Sequence, residues 1–223
     1  TVLTADTEDA PVSTMATNDA LRGQQWALDA TTFEAAWSTT RGSGVIVAVV
    51  DTGVRGDHQD LAPVLLPGRD FVTGSGDGKT DPNGHGTHVA GIIAAQANNG
   101  VGVAGGAPDV RILPVRVLDA NGTGFSSNVA AGIIWAANQG ARVINVSLGS
   151  TSASGATQDA IRYALSKGAL VFAAAGNGAQ TGNQPIYPAA FPEAIAVGSI
   201  DSNRVRSAFS NYGGYVDLAA PGG

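Results

Sequence analysis

GVIVAVVDTG, residues 44–53, is the stretch on which the fold turns. Its apolar run from Val45 to Val50 is rich in β-branched residues and is framed by Gly44 and Asp51-Thr52-Gly53. A short run that is apolar on both faces reads as a strand buried from two sides, the kind found in parallel sheets covered by helices. Asp51 closes it with a carboxylate at the carboxyl edge, where open α/β sheets collect their functional groups.

Working outward, further runs of similar length lie at Val110 to Leu118, Arg142 to Leu148, Ala169 to Ala174, Ala194 to Ile200 and Tyr215 to Ala219. Between them, His85 to Asn98, Ser127 to Gln139 and Thr157 to Lys167 place apolar residues at helical spacing, and Gly140 and Gly168 follow as stop signals. The alternation predicts an α/β fold with a mostly parallel central sheet and helices on both faces. Two more strand ends then carry polar groups on the same edge: Ser147 to Gly149 in VINVSLG and Asn177 in FAAAGN.

A chain of 223 residues without an internal repeat or long linker reads as one domain over residues 18–223. Residues 1–17, TVLTADTEDAPVSTMAT, are small, polar and aperiodic, and read as an N-terminal extension. The net charge of -6 disfavours a phosphate-tracking surface, so nucleic acid is not expected as a partner. No apolar run approaches the roughly 20 residues of a membrane span, and Thr1 reads as a processed start because no signal-peptide pattern precedes it. Cysteine is absent, which removes disulfides and thiol nucleophiles together.

Three candidates carry chemistry. A buried carboxylate can hold an imidazole in one tautomer while the imidazole takes a proton from a nucleophile, and Asp51 and His85 have the residue types for it. Each has a plainer reading, Asp51 as a solvated strand-end carboxylate and His85 as a turn or core histidine. His88, three residues on, invites a metal reading, but a His-Glu-x-x-His site needs a glutamate that this segment lacks. His58 falls in a polar loop and is expected to have no catalytic role. Asn177 is either a neutral donor for an oxyanion or the asparagine of a Gly-Asn-Gly turn.

Taken in order, VAVVDTG, NGHGTHVAG and FAAAGN resemble the aspartate, histidine and oxyanion segments of the subtilisin-like serine proteases. The likeness runs from NDALRGQQW at Asn18 to SAFSNYG and VDLAAPG at the end, nearly the whole chain. It implies a three-layer fold and secreted, extracellular endopeptidase activity, with Asp51 orienting, His85 shuttling the proton and Asn177 holding the oxyanion. Substrate would pair as an added strand with Ser147, Leu148 and Gly149 on one side and Gly122, Thr123 and Gly124 on the other. Ile186, just before YPAAF, would lie near the floor of the main specificity pocket and favour a medium apolar side chain.

The resemblance also implies a structural calcium. Asp19, Asp60 and Asn99 would supply side-chain oxygens, and Gln96, Val101 and Val103 would supply carbonyls. The acidic stretch DFVTGSGDGKTDPN, with Asp70, Asp77 and Asp81, reads equally as a second ion site or as a solvated acidic loop.

In that family the nucleophile lies in a Gly-Thr-Ser segment beyond an Ala-Pro-Gly turn, and the sequence given ends at Ala220-Pro221-Gly222-Gly223. Ser147 falls in a substrate-contact segment, and Ser207 and Ser210 in a surface-strand pattern, so no nucleophile is assigned within the chain. The fold is therefore expected to be truncated before the nucleophile helix, inactive and unstable without the remaining C-terminal part. That part is expected either as a separate cleaved chain docked on this one or as a piece absent from the sequence. Peptide or protein substrates, a propeptide and a protease inhibitor are the other partners implied. Two alternatives stay open: an inactive peptide-binding fragment or pseudoprotease, and a metal-dependent hydrolase built on Asp51, His85 and His88.

Overall fold

A computed structural model of the chain describes residues 17–222, so most of the expected N-terminal extension lies outside the described residues. Seven strands form one sheet: β1 (Ile46–Asp51), β2 (Arg69–Asp70), β3 (Arg111–Arg116), β4 (Val143–Val146), β5 (Leu170–Ala174), β6 (Ile195–Ile200) and β7 (Leu218–Pro221). Their spatial order is β2-β3-β1-β4-β5-β6-β7, and every neighbouring pair is parallel. Five helices accompany them: α1 (Trp26–Thr31), α2 (Phe33–Ala36), α3 (His85–Ala94), α4 (Ser126–Asn138) and α5 (Gly155–Ser166).

Alternation along β1 builds the two layers of core. Ala48 and Val50 point into one cluster with Val129, Ile133 and Ile161 of α4 and α5. Val47 and Val49 point the opposite way, into a cluster with Ala90 and Ala94 of α3. The small residues of α3 allow the helix to lie close against the sheet. On α3's side the cover is partial, however: Leu170 is 47% exposed, and Val143, Phe172, Ile195 and Val197 are half-buried. The register Val143↔Leu170, Phe172↔Ile195 and Ala174↔Val197 makes these residues one continuous face across β4, β5 and β6.

Three expectations need correction. The α3 pattern was expected to run to Asn98, but Ala95 takes an extended ψ of 138° and the chain beyond it is held by the Asp19 and Asp60 carboxylates instead of helical carbonyls. The last strand begins at Leu218, not Tyr215, because Val216 N–H closes a turn on Gly213 and the Tyr215 hydroxyl donates to the Ala175 carbonyl at 3.0 Å. β2 was not expected at all. It is two polar residues long, and Asp70 pairs with Arg116 of its neighbour β3 at 2.8 Å.

Candidate active site

Parallel strands deliver their carboxyl ends to one edge, and Asp51, Ser147 and Asn177 all follow from that edge: at the end of β1, just after β4 and just after β5. His85 reaches it from the first residue of α3. Its Nδ1 lies 2.8 Å from Asp51 Oδ1 and 2.9 Å from Oδ2. The Asp51 side chain is wholly buried while that of His85 is 46% exposed, so Nε2 is left on the open side. The hydrogen bond that Nδ1–H donates to Asp51 raises the histidine pKa above its ordinary 6.5, partly opposed by burial.

Asp51 Oδ1 also accepts the Thr52 N–H at 2.7 Å. Thr52 Oγ1 in turn accepts Gly86 N–H at 3.0 Å and donates to Asp81 at 2.8 Å. Gly86 is obligatory here, because a Cβ would overlap the Gly53 carbonyl oxygen. Asp81 additionally accepts the Gly84 and Thr87 N–H groups at 2.9 Å each, a carboxylate seated at the amino end of α3. Burial works against its charge, yet the bonds from Thr87, Gly84 and Thr52 hold its pKa below the usual value.

A cavity of about 470 Å³ opens beside His85. Gly122, Thr123 and Gly124 line one side and Ser147, Leu148 and Gly149 another, so the two expected substrate-pairing segments face one space. The first is shaped by Asp119, whose carboxylate accepts Asn121 and Thr123 N–H. The second is followed by a bridge in which Ser150 and Tyr187 exchange backbone bonds at 2.9 and 2.8 Å. Ile186, expected at a pocket floor, is not among the residues lining this cavity. Its branched side chain fills the space left by the missing Cβ atoms of Gly149 and Gly176, while Tyr187, Pro188 and Phe191 reach the cavity wall.

Asn177 is exposed. Among the described residues its side chain has no hydrogen-bond partner. The Ser147 hydroxyl donates to Asn145 at 2.8 Å, and no serine hydroxyl among the described residues is hydrogen-bonded to His85.

The residues expected to hold calcium are brought together in part. Asp60 is 2% exposed, accepts Asn99 Nδ2 at 2.8 Å and Val103 N–H at 3.3 Å, and has no lysine or arginine partner among the described residues. Asp19 accepts the N–H groups of Asn98 and Asn99 at 3.0 Å each. The N–H groups of Gln96 and Val101 meet the Asp60 carbonyl and Asn99 Oδ1. Asp19 and Asp60 are buried carboxylates without a cationic partner among the described residues, the donor chemistry a hard cation requires, while Asn99 turns its amide nitrogen to Asp60 and its oxygen to the Val101 N–H. No cluster of three or more His, Cys, Asp or Glu poised for a metal occurs among the described residues.

The second acidic stretch does not converge. Asp70 is committed to Arg116, Asp81 to α3 and Thr52, and exposed Asp77 caps the Lys79 N–H. His88 is exposed and has no carboxylate or histidine cluster around it among the described residues. Thr52 and Asp119 were not anticipated as site residues, and Asp81 was anticipated only as a candidate of the second ion site, not as the brace between Thr52 and α3. Asp81 had a signal, an aspartate just before a helix beginning at Gly84-His85.

Comparisons with known proteins identify the family. Residues 42–223 match the subtilase family profile. Thermitase of Thermoactinomyces vulgaris is 52% identical over 84% of the chain and 66% of its own length. A thermophilic serine proteinase of Bacillus sp. strain AK1 is 46% identical over 90% of the chain and 50% of its own length. Among solved structures, a protease of Pseudoalteromonas arctica superposes with a TM-score of 0.86 at 38% identity, over 93% of this chain and 73% of that one. The chain thus spans between half and two thirds of the length of these two sequence relatives. With the profile match covering most of its length, the chain belongs to the subtilase family, the subtilisin-like serine proteases.

Proposed function

We propose that the protein is a serine endopeptidase in which Asp51 orients His85, His85 Nε2 takes the proton of a serine hydroxyl attacking a peptide carbonyl, and Asn177 donates to the resulting oxyanion. The paired Nδ1 contacts to the buried Asp51 carboxylate carry this reading, because they direct the other ring nitrogen toward the cleft. His85 then returns the proton to the leaving amine, and water repeats the sequence on the acyl-enzyme. An extended peptide is held between the segments 122–124 and 147–149, with an apolar side chain in the cavity walled by Leu148, Tyr187 and Phe191.

The nucleophile in this proposal comes from a part of the protein outside residues 1–223. The half-open face across β4, β5 and β6 supports a covering segment there, since a sheet face of this extent is stable only when covered. Residues 18–223 act as one peptidase domain, inert without that segment. Asp19, Asp60 and Asn99 hold calcium, which when bound neutralises the buried carboxylates and ties residues 96–103 to the segment around Asp60. The described helices include none long and apolar enough to cross a membrane; secretion is part of the reading on the family resemblance alone.

Labelling the full-length protein with a fluorophosphonate tests the reading. An adduct on one serine beyond residue 223, lost in His85→Ala, is expected. Peptide binding without any adduct would instead favour the non-catalytic binder.

A further inference from the structure

The residue after Asn177 is Gly178. Asparagine followed by glycine is the pair most prone to lose its side-chain amide, because no Cβ hinders the next backbone nitrogen from reaching the Asn Cγ. Asn177 is exposed, so water reaches it. What that attack needs is the Gly178 nitrogen, and the structure shows it engaged: its N–H donates to Asn211 Oδ1 at 2.6 Å.

Asn211 is built for this contact. It is 1% exposed, its Nδ2 donates to the Gln184 carbonyl at 2.8 Å, and its own N–H donates to the Gly176 carbonyl at 2.9 Å. The two side-chain bonds fix which end of the amide faces Gly178, since an N–H needs an acceptor and a carbonyl needs a donor. Asn211 therefore grips the chain on both sides of Asn177 and leaves the Asn177 side chain alone.

We propose that Asn177 is a deamidation site of this protein, a chemical clock on its own oxyanion donor, and that the bond from Gly178 N–H to Asn211 Oδ1 holds the reaction back. Hydroxide removes the Gly178 amide proton, and the nitrogen forms a bond to Asn177 Cγ. The Cγ–Nδ2 bond breaks and ammonia leaves, taking its third hydrogen from water, to give a cyclic imide. One water opens the ring to aspartate or isoaspartate. The net change is amide plus water to carboxylate plus ammonium, with no oxidation. The effect on turnover rests on the oxyanion role proposed above, where a negative charge would replace a neutral donor; the modification itself does not.

The chain supplies its own controls. Three other Asn-Gly pairs exist, Asn83-Gly84, Asn99-Gly100 and Asn121-Gly122. Their glycine N–H groups donate to Asp81 Oδ1 at 2.9 Å, Asn18 Oδ1 at 3.0 Å and the Asp119 carbonyl at 3.1 Å, none of which involves Asn211.

The experiment follows the amide-to-acid mass increment at all four pairs by peptide mapping, in the full-length protein held at mildly alkaline pH with a serine-protease inhibitor to suppress self-cleavage. Asn211→Ala is expected to accelerate conversion at Asn177 by about tenfold, the weight of one hydrogen bond, and to leave the other three pairs at their wild-type rates. Asn211→Asp keeps an acceptor oxygen and is expected to stay slow. Gly178→Ala in the Asn211→Ala background is expected to be slow again; Gly178 has a φ of -101°, which alanine adopts. Equal acceleration at all four pairs would mean general loosening and overturn the proposal, as would an unchanged rate at Asn177 in Asn211→Ala or a fast one in Asn211→Asp. Conversion at Asn177 without loss of turnover upholds the modification and counts against the oxyanion reading, so the two fail separately.

Discussion

Thr52 Oγ1 donates to Asp81 Oδ1 at 2.8 Å, and this contact joins the end of β1 to the amino end of α3, the two elements that carry Asp51 and His85. The same carboxylate takes the Thr87 hydroxyl at 2.5 Å. Asp81→Ala leaves those donors unmet and is expected to cost about 2 kcal/mol in urea unfolding, the range for hydrogen bonds to a charged group. It should also lower kcat with little change in KM, since Asp81 lines no part of the substrate cavity. An unchanged kcat would mean that the Asp51–His85 pair holds its own geometry.

In the proposed reaction His85 is the general base, and its raised pKa would then set the acid limb of activity. A general base must be neutral, so a raised value moves the midpoint of the limb above 6.5. Asp51→Asn removes the principal cause of the shift and is expected to move the limb downward, with turnover falling about 10⁴-fold. A pH profile of kcat/KM checks both. A limb that stays put in Asp51→Asn would assign it to another group.

Arg22 and Glu34 form a mostly buried ion pair, their side chains 7% and 11% exposed, with more exposed Asp29 alongside at 2.6 Å from Arg22. The hydrogen bond from Arg22 lowers the Glu34 pKa below its ordinary 4.5 against the cost of burial. A depressed carboxyl adds stability that is present above about 4.5 and lost as pH falls through the folded-state value. Glu34→Gln is expected to cost about 2 kcal/mol at neutral pH by removing the more buried of the two carboxylates that hold Arg22, with the gap to wild type closing in acid. Denaturation at a series of pH values measures it, and a gap independent of pH would remove Glu34 ionisation as its source.

A calcium chelator is expected to lower the Tm of the protein. In Asp60→Asn the same chelator should do much less, because the buried carboxylate that needs a cation is gone. Direct calorimetric titration with calcium checks binding apart from stability. Equal chelator effects in both proteins would place the ion elsewhere.

The sheet was legible because buried parallel strands announce themselves as short β-branched runs, and Asp51, His85 and Asn177 because each stands where a run or helix begins or ends. β2 was not legible: two polar residues make a strand only because Asp70 finds Arg116 across the sheet. The bracing roles of Asp81 and Asn211 were missed for a related reason. Much of their work is to accept backbone N–H groups, and every residue except proline offers the same N–H, so no letter marks the partner. Ile186 shows the opposite limit. Its place beside YPAAF sets it next to Tyr187 of the cavity wall, but its side chain turns into the space left by Gly149, far from it in sequence, and by Gly176.

The strand order carries a consequence for how the molecule is made. β1 stands between β3 and β4, whose residues Arg111 and Val143 arrive long after Ile46 and Val47, their partners in register. During vectorial synthesis this largely apolar strand is therefore finished early and waits unpaired while the chain between is still being added. Non-local pairing of this kind makes folding slow, and it leaves Val45 to Val50 exposed to wrong partners until the second neighbour emerges.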